Sequence, residues 1–141
     1  MEQSAGQVEA HIRAFYDNNP FIRLLQMHLK VLREGYAEIV MPVGKATHAN
    51  VYRVAHGGSL MSLADTAMGA ACMTLGRKVI TLDLNTNFIK AAPQGEPVFA
   101  VGRVVHSGRK TMVTECDITS KTGVLYAKAR ATFFVLEENA F

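Results

Sequence analysis

The stretch HGGSLMSLADTAMGAACMTLG, residues 56–76, decides the fold. Within it Leu60, Ala64, Ala67, Met68, Ala71, Cys72 and Leu75 recur with the spacing of one helix face. The other positions (Ser62, Leu63, Thr66, Gly69, Ala70, Met73) are also small or apolar, and Asp65 is the one formally charged side chain between His56 and Arg77. A helix that is nonpolar nearly all round is a buried helix. Its Ala and Gly residues let a sheet come close to its backbone. The carboxylate and the glycines suit a protein core better than a lipid-spanning segment.

On the N-terminal side, residues 4–18 place Val8, Ile12, Phe15 and Tyr16 at helical spacing, and Asn18-Asn19-Pro20 stops that amphipathic helix. A short helical turn follows over Phe21–Leu25. From Met27 the period becomes two: Leu29 and Val31, the turn Arg33-Glu34-Gly35, then Ala37, Ile39 and Met41 predict a hairpin. Lys45–Tyr52 reads as a polar loop. On the C-terminal side come four strand-like runs. In the first, Ile80, Leu82, Leu84 and Phe88 alternate with Thr81, Asp83, Asn85 and Asn87. Val98–His106 and Met112–Ile118 follow. The last, from Leu125 to Val135, carries the small column Ala127, Ala129, Ala131, as expected where a helix lies across a strand.

The resulting class is α+β: an N-terminal helix, and an antiparallel sheet polar on one face and covered by the central helix on the other. Six strands cover a wholly buried helix only by curling round it, and the edges they leave predict a homo-oligomer. The length of 141 residues fits one domain over 1–141, with 1–19 as a helical extension.

Composition narrows the function. With 49% hydrophobic and 19% charged residues the chain is no disordered tail. Fifteen Lys and Arg against twelve Asp and Glu, scattered along the chain, predict no nucleic-acid partner but favour a small polyanionic ligand. Cys72 and Cys116 read as reduced core thiols. The N-terminus lacks a basic patch followed by an apolar run, so the expected location is cytoplasmic, with no membrane partner.

Two features carry chemistry. A carboxylate on an otherwise buried helix must be satisfied from another element or line a cavity, and such isolated acids gather at active sites. A structural aspartate held by backbone donors is the bland alternative. His56-Gly57-Gly58 starts the same helix. Its free first-turn amides can hold a developing oxyanion, although a glycine pair there is often only turn chemistry. Eight helical residues rise about 12 Å, so Gly57 and Asp65 of one chain cannot both reach one carbonyl. Two antiparallel copies of the helix bring them together. His11, His28, His48 and His106 show no metal-ligand spacing, and no metal is expected. Ser59 and Ser62 have no nucleophile-elbow context. Glu115 and Asp117 read as a solvated strand face, and Gly102 and Gly108 as bulge positions.

Asn50, His56-Gly57-Gly58, Leu63-Ala64-Asp65, Thr81–Phe88 and Gly108-Arg109-Lys110, in this order, resemble the PaaI-like branch of hotdog-fold acyl-CoA thioesterases over roughly residues 20–136. The resemblance implies a hotdog fold and hydrolysis of an acyl- or aryl-CoA to free acid and coenzyme A. Asp65 is then nucleophile or general base, Gly57 the oxyanion amide, and Asn50 positions nucleophile or water. His56 orients the thioester and Thr81 assists water. Phe88–Pro93 with Lys90, and His106, Ser107, Gly108, Arg109, Lys110 and Thr111, would line the coenzyme A groove. Coenzyme A enters as part of the substrate, with no separate cofactor. The implied assembly is a dimer with shared sites, in a dimer of dimers. One departure is Arg53, where the family commonly has glycine. Two other readings are a hotdog 3-hydroxyacyl/enoyl thioester dehydratase-hydratase, and a non-catalytic acyl-CoA-binding module.

Overall fold

A computed structural model describes residues 4–140. Helix α1 (Ala5–Asp17) begins at a capping box in which Ser4 Oγ accepts from the Gln7 amide and Gln7 Oε1 accepts from the Ser4 amide. The turn α2 (Pro20–Leu24) has Asn19 as its cap and proline at its first position. The hairpin β1 (His28–Arg33) and β2 (Tyr36–Met41) precedes the long helix α3 (Gly57–Met73). Strands β3 (Lys78–Phe88), β4 (Val98–Ser107), β5 (Thr111–Thr119) and β6 (Leu125–Glu137) complete the chain. They form one six-stranded antiparallel sheet in the order β1-β2-β4-β5-β6-β3, so β1 and β3 are its edges. Its inner face closes on α3, and Leu63, Ala64, Ala67, Met68, Ala70, Ala71 and Cys72 are fully buried there.

Close approach of helix and sheet is concentrated at Gly102 on β4. A Cβ at that position would lie 2.5 Å from the Ala67 carbonyl oxygen and 2.8 Å from the Met68 amide nitrogen. Gly102 is therefore not a bulge, as its sequence context suggests: it pairs in register with Ala37 and Cys116. The bulge in β4 lies between Val104 and His106, and Gly108 belongs to the loop joining β4 to β5, where its amide donates to the Thr111 carbonyl.

Strand β3 departs from the expected alternation. Ile80 and Leu82 are half exposed, because the register with β6 slips between Thr81 and Asp83: Thr81 pairs with Phe133 and Asp83 with Thr132. Leu82 is the extra residue, so side chains before and after it change faces. Thr81 thereby joins Leu84 on the inner face instead of Asp83 and Asn85 on the outer one.

Both cysteines are free and buried, and desolvation pushes each thiol up to about 12. His48, fully buried, is a core histidine: its Nδ1 accepts from the Gly44 amide and its Nε2 contacts the Leu25 carbonyl at 2.6 Å. Arg53 stands at φ +62°, a left-handed conformation that explains why glycine suits this position. Exchange of Arg53 for glycine is expected to relieve the Cβ penalty and raise stability by about 1 kcal/mol. A thermal melt checks this, and a lower midpoint would contradict it.

Candidate active site

Contrary to the burial on all sides that its composition predicts, helix α3 is left uncovered along one side. Gly58, Met61, Ser62, Asp65 and Thr66 form a stripe along one side that is only partly buried or exposed. This stripe runs beside edge strand β3. Neither hydroxyl neighbour on the helix serves Asp65: Ser62 Oγ donates to the Gly58 carbonyl and Thr66 Oγ1 to that of Ser62. The partner comes from the sheet. Thr81 Oγ1 donates to Asp65 Oδ1 at 2.7 Å, a contact made possible by the Leu82 bulge. Asp65 is thus half-buried rather than sealed from water. It borders a cavity of about 620 Å³ that continues beneath α1 and α2 to Tyr16, Ile22 and Phe133.

At the start of α3, His56 is the N-cap. Its Nδ1 accepts from the Gly58 amide at 3.0 Å and its carbonyl accepts from the Ser59 amide at 2.9 Å. This capping role was not expected for His56. It leaves the Gly57 amide as the first-turn donor with no acceptor among the described residues. Gly57 needs its lack of side chain: a Cβ there would meet the Phe88 ring at 3.1 Å. Asn50 closes the loop before the helix, its Oδ1 accepting from the Tyr52 and Val54 amides at 2.9 and 3.4 Å. Only its Nδ2 is left to act outside the loop.

Gly57 touches the Phe88 end of β3, and Asp65 the Thr81 end. The two predicted coenzyme A segments are also separated within one chain. The His106–Thr111 segment lies near the start of β3, since the Lys110 carbonyl accepts from the Val135 amide and Val135 pairs with Val79. Lys90 lies near the other end, donating its amide to the Tyr126 carbonyl. The nine residue-to-residue steps from Val79 to Phe88 correspond to about 30 Å. Lys90, Arg109 and Lys110 are exposed and form no ion pair among the described residues. The Arg77 guanidinium, not singled out in the sequence, braces the loop by donating to the Gly108 carbonyl at 2.9 Å.

A curled antiparallel sheet round one long helix, with a carboxylate on the helix flank and a free amide at its start, defines a hotdog-type thioester hydrolase. Residues 52–127 match the model of the thioesterase superfamily, and the chain belongs to that family. It is 32% identical to a putative esterase of Archaeoglobus fulgidus over 88% of this chain and 80% of that one. With the acyl-coenzyme A thioesterase PaaI of Escherichia coli it shares 31% identity over 77% of this chain and 76% of the relative. The solved E. coli PaaI structure superposes with a TM-score of 0.89 at 26% identity, covering 97% and 99% of the two chains. A hypothetical thioesterase of Streptococcus pneumoniae, solved with coenzyme A, gives 0.76 at 32% identity over 80% and 90%. That protein has also been solved with an aspartate and, separately, a threonine replaced by alanine.

Proposed function

We infer that the protein is an acyl-CoA thioesterase, adding water across the C–S bond to give a free acid and coenzyme A. The observation that carries this reading is the Asp65–Thr81 pair on a cavity wall, on the same helix as an unpartnered Gly57 amide. Thr81 occupies Oδ1 of the carboxylate and fixes its plane. Oδ2 is left to attack the thioester carbon or to take a proton from water. The Gly57 amide receives the negative charge on the carbonyl oxygen, and collapse of the adduct expels the thiolate; where Oδ2 itself attacks, water then cleaves the resulting anhydride, releasing the acid and restoring Asp65. The aspartate and threonine exchanged in the pneumococcal protein stand 16 positions apart, the separation of Asp65 and Thr81.

About 12 Å of helix separates the amide from the carboxylate, so one complete site takes both from different copies. Edge strand β3 exposes Ile80, Leu82 and Phe88, and Ile89 follows them, beside the uncovered stripe of α3. Antiparallel pairing of two β3 strands about a point between Leu84 and Asn85 sets Phe88 opposite the Thr81 of a second copy. The same two-fold brings Gly57 of one chain toward Asp65 of the other. It also carries Lys90 toward the second copy's Arg109 and Lys110, which together offer cations to the phosphates of coenzyme A. A dimer of dimers and a cytoplasmic location belong to the same reading, with residues 1–141 as one domain. No helix among the described residues is long and apolar enough to cross a membrane.

A dehydratase-hydratase is less well served, because the His56 ring is engaged as a helix cap and sits more than two turns from Asp65. Thiol release from short, medium, long and aromatic acyl-CoAs is expected to exceed hydration of crotonyl-CoA. Coenzyme A binding with no thiol released from any of them would instead indicate a binding module. The shared site has its own test. Gly57→Pro removes the amide at the first helical position, where backbone geometry accepts proline, and His56 already has the extended backbone a following proline needs. The proline ring must displace the Phe88 side chain, so Gly57→Ala, which adds the same Cβ but keeps the amide, is the control. Refolding the inactive Gly57→Pro variant together with Asp65→Asn should restore about a quarter of wild-type activity, since half the two-fold dimers are mixed and each mixed dimer has one intact site. No restoration would place the whole site within one chain.

A further inference from the structure

The loop that carries Arg109 and Lys110 is anchored from three sides, and one of the anchors comes from the end of α3. The connection Gly108–Lys110 spans only three residues between β4 and β5. The Gly108 amide donates to the Thr111 carbonyl at 2.9 Å, and the Lys110 carbonyl accepts from the Val135 amide on β6 at 2.8 Å. A Cβ at Gly108 would lie 2.8 Å from the Thr111 carbonyl oxygen and 2.9 Å from His106 Nε2, so the turn is built for glycine. The third anchor is Arg77, whose Nη1 donates to the Gly108 carbonyl at 2.9 Å. No other described group donates to that carbonyl. Arg77 in turn is fixed to α3. Gly76, left-handed at φ +76°, turns the chain out of the helix while its amide still donates to the Met73 carbonyl. Arg77 is half-buried, and its charge bears on Cys72 in the last turn of α3, opposing the rise of that thiol. A cation at this end of a helix is favoured by the helix dipole. Glu137, opposite Lys78 on β6, takes no ion pair with Arg77, so no carboxylate draws the guanidinium away from the loop.

We propose that Arg77 is a positioning residue that fixes the distance between Asp65 and the cations Arg109 and Lys110, so that the enzyme reads the full length of coenzyme A and favours its thioesters over those of shorter thiols. This rests on the thioesterase reading above. In the shared site Asp65, Arg109 and Lys110 come from one copy, and Gly57 and Lys90 from the other. One braced unit, α3 joined through Arg77 to the loop, therefore holds both the reacting carboxylate and two of the cations. Arg109 and Lys110 are exposed and unpaired among the described residues. Their long side chains must be ordered when a phosphate binds, and a backbone held in place beforehand leaves less to order. Binding at the nucleotide end then orients the thioester on Asp65 instead of arranging the loop.

The test compares kcat/KM for one acyl group carried on coenzyme A and on pantetheine, which lacks the nucleotide, in wild type, Arg77→Met and Arg77→Lys. Methionine keeps an apolar stem and removes the donor, whereas lysine keeps the charge and a donor. Wild type should prefer the coenzyme A thioester. Arg77→Met should cut that preference about tenfold, through KM for the coenzyme A thioester, with acyl-pantetheine turned over as in wild type. Arg77→Lys should fall between the two. No preference in wild type, a preference unchanged in Arg77→Met, or an equal loss on both thioesters overturns the assignment. Binding of adenosine 3′,5′-bisphosphate supplies a readout without turnover and should be about tenfold weaker in Arg77→Met. Equal affinities, or no binding to wild type, overturn the role of Arg77. Asp65→Asn should bind the bisphosphate as wild type does. Absence of thiol release from wild type would thus overturn the thioesterase reading, while bisphosphate binding still decides for or against Arg77.

Discussion

Asp65→Asn is expected to lower kcat for acyl-CoA hydrolysis by about a thousandfold, equivalent to about 4 kcal/mol of transition-state stabilisation. The amide keeps the size of the carboxylate, and its oxygen can still accept from Thr81 Oγ1, so the fold and the oligomer should persist. What disappears is the charge needed to attack the thioester or take a proton from water. Thr81→Ala should be milder, because it frees Oδ1 without removing the charge. Its effect is then on the plane and orientation of the carboxylate. Steady-state thiol release, with size-exclusion chromatography to verify assembly, measures both. Near-normal turnover by Asp65→Asn would mean that the carboxylate is structural.

The second large effect concerns stability. Gly102→Ala places a methyl carbon 2.5 Å from the Ala67 carbonyl oxygen and 2.6 Å from its carbonyl carbon. Backbone cannot swing aside as a flexible side chain can, so α3 must lift from β4 or the strand must bend. Overpacking of this kind costs about 3 kcal/mol, which lowers the melting temperature by about 10 °C in a domain of this size. Lifting α3 also displaces Asp65 and Gly57, so activity should fall below that of wild type even where the variant remains folded. Gly69→Ala on the same helix is the control, since its added methyl has room. An unchanged melt for Gly102→Ala would show that the helix does not bear on the sheet there.

Much of the architecture was legible because periodicity reports burial. The nearly charge-free run after His56 became α3, and the column Ala127, Ala129, Ala131 lies on the buried inner face of β6. The stop signal Asn18-Asn19-Pro20 marked the break between α1 and α2, whereas the capping roles of Ser4 and Asn19 emerged only in the structure. The hairpin turn at Arg33–Gly35 fixed the pairing of β1 with β2. The exceptions are equally physical. Alternation in β3 placed Ile80 and Leu82 with the core, yet an unpaired residue resets the period, and a bulge has no compositional signature in Thr81-Leu82-Asp83. His56 looked like a substrate contact, but a histidine before two glycines can also cap the helix, and only the position of its ring distinguishes the two.

The class of fold, the carboxylate and the glycine start of the same helix were readable in one dimension, because each follows from residue type and spacing along one chain. Their spacing also required that Gly57 and Asp65 act on different carbonyls within a chain, since helical rise is fixed. Which side of α3 stays uncovered, and that Thr81 rather than a helix neighbour holds Asp65 at the edge of a cavity, emerge only when the chain is folded. Those outcomes depend on strand register and on the seating of distant elements, which are long-range properties that no local pattern of residues encodes.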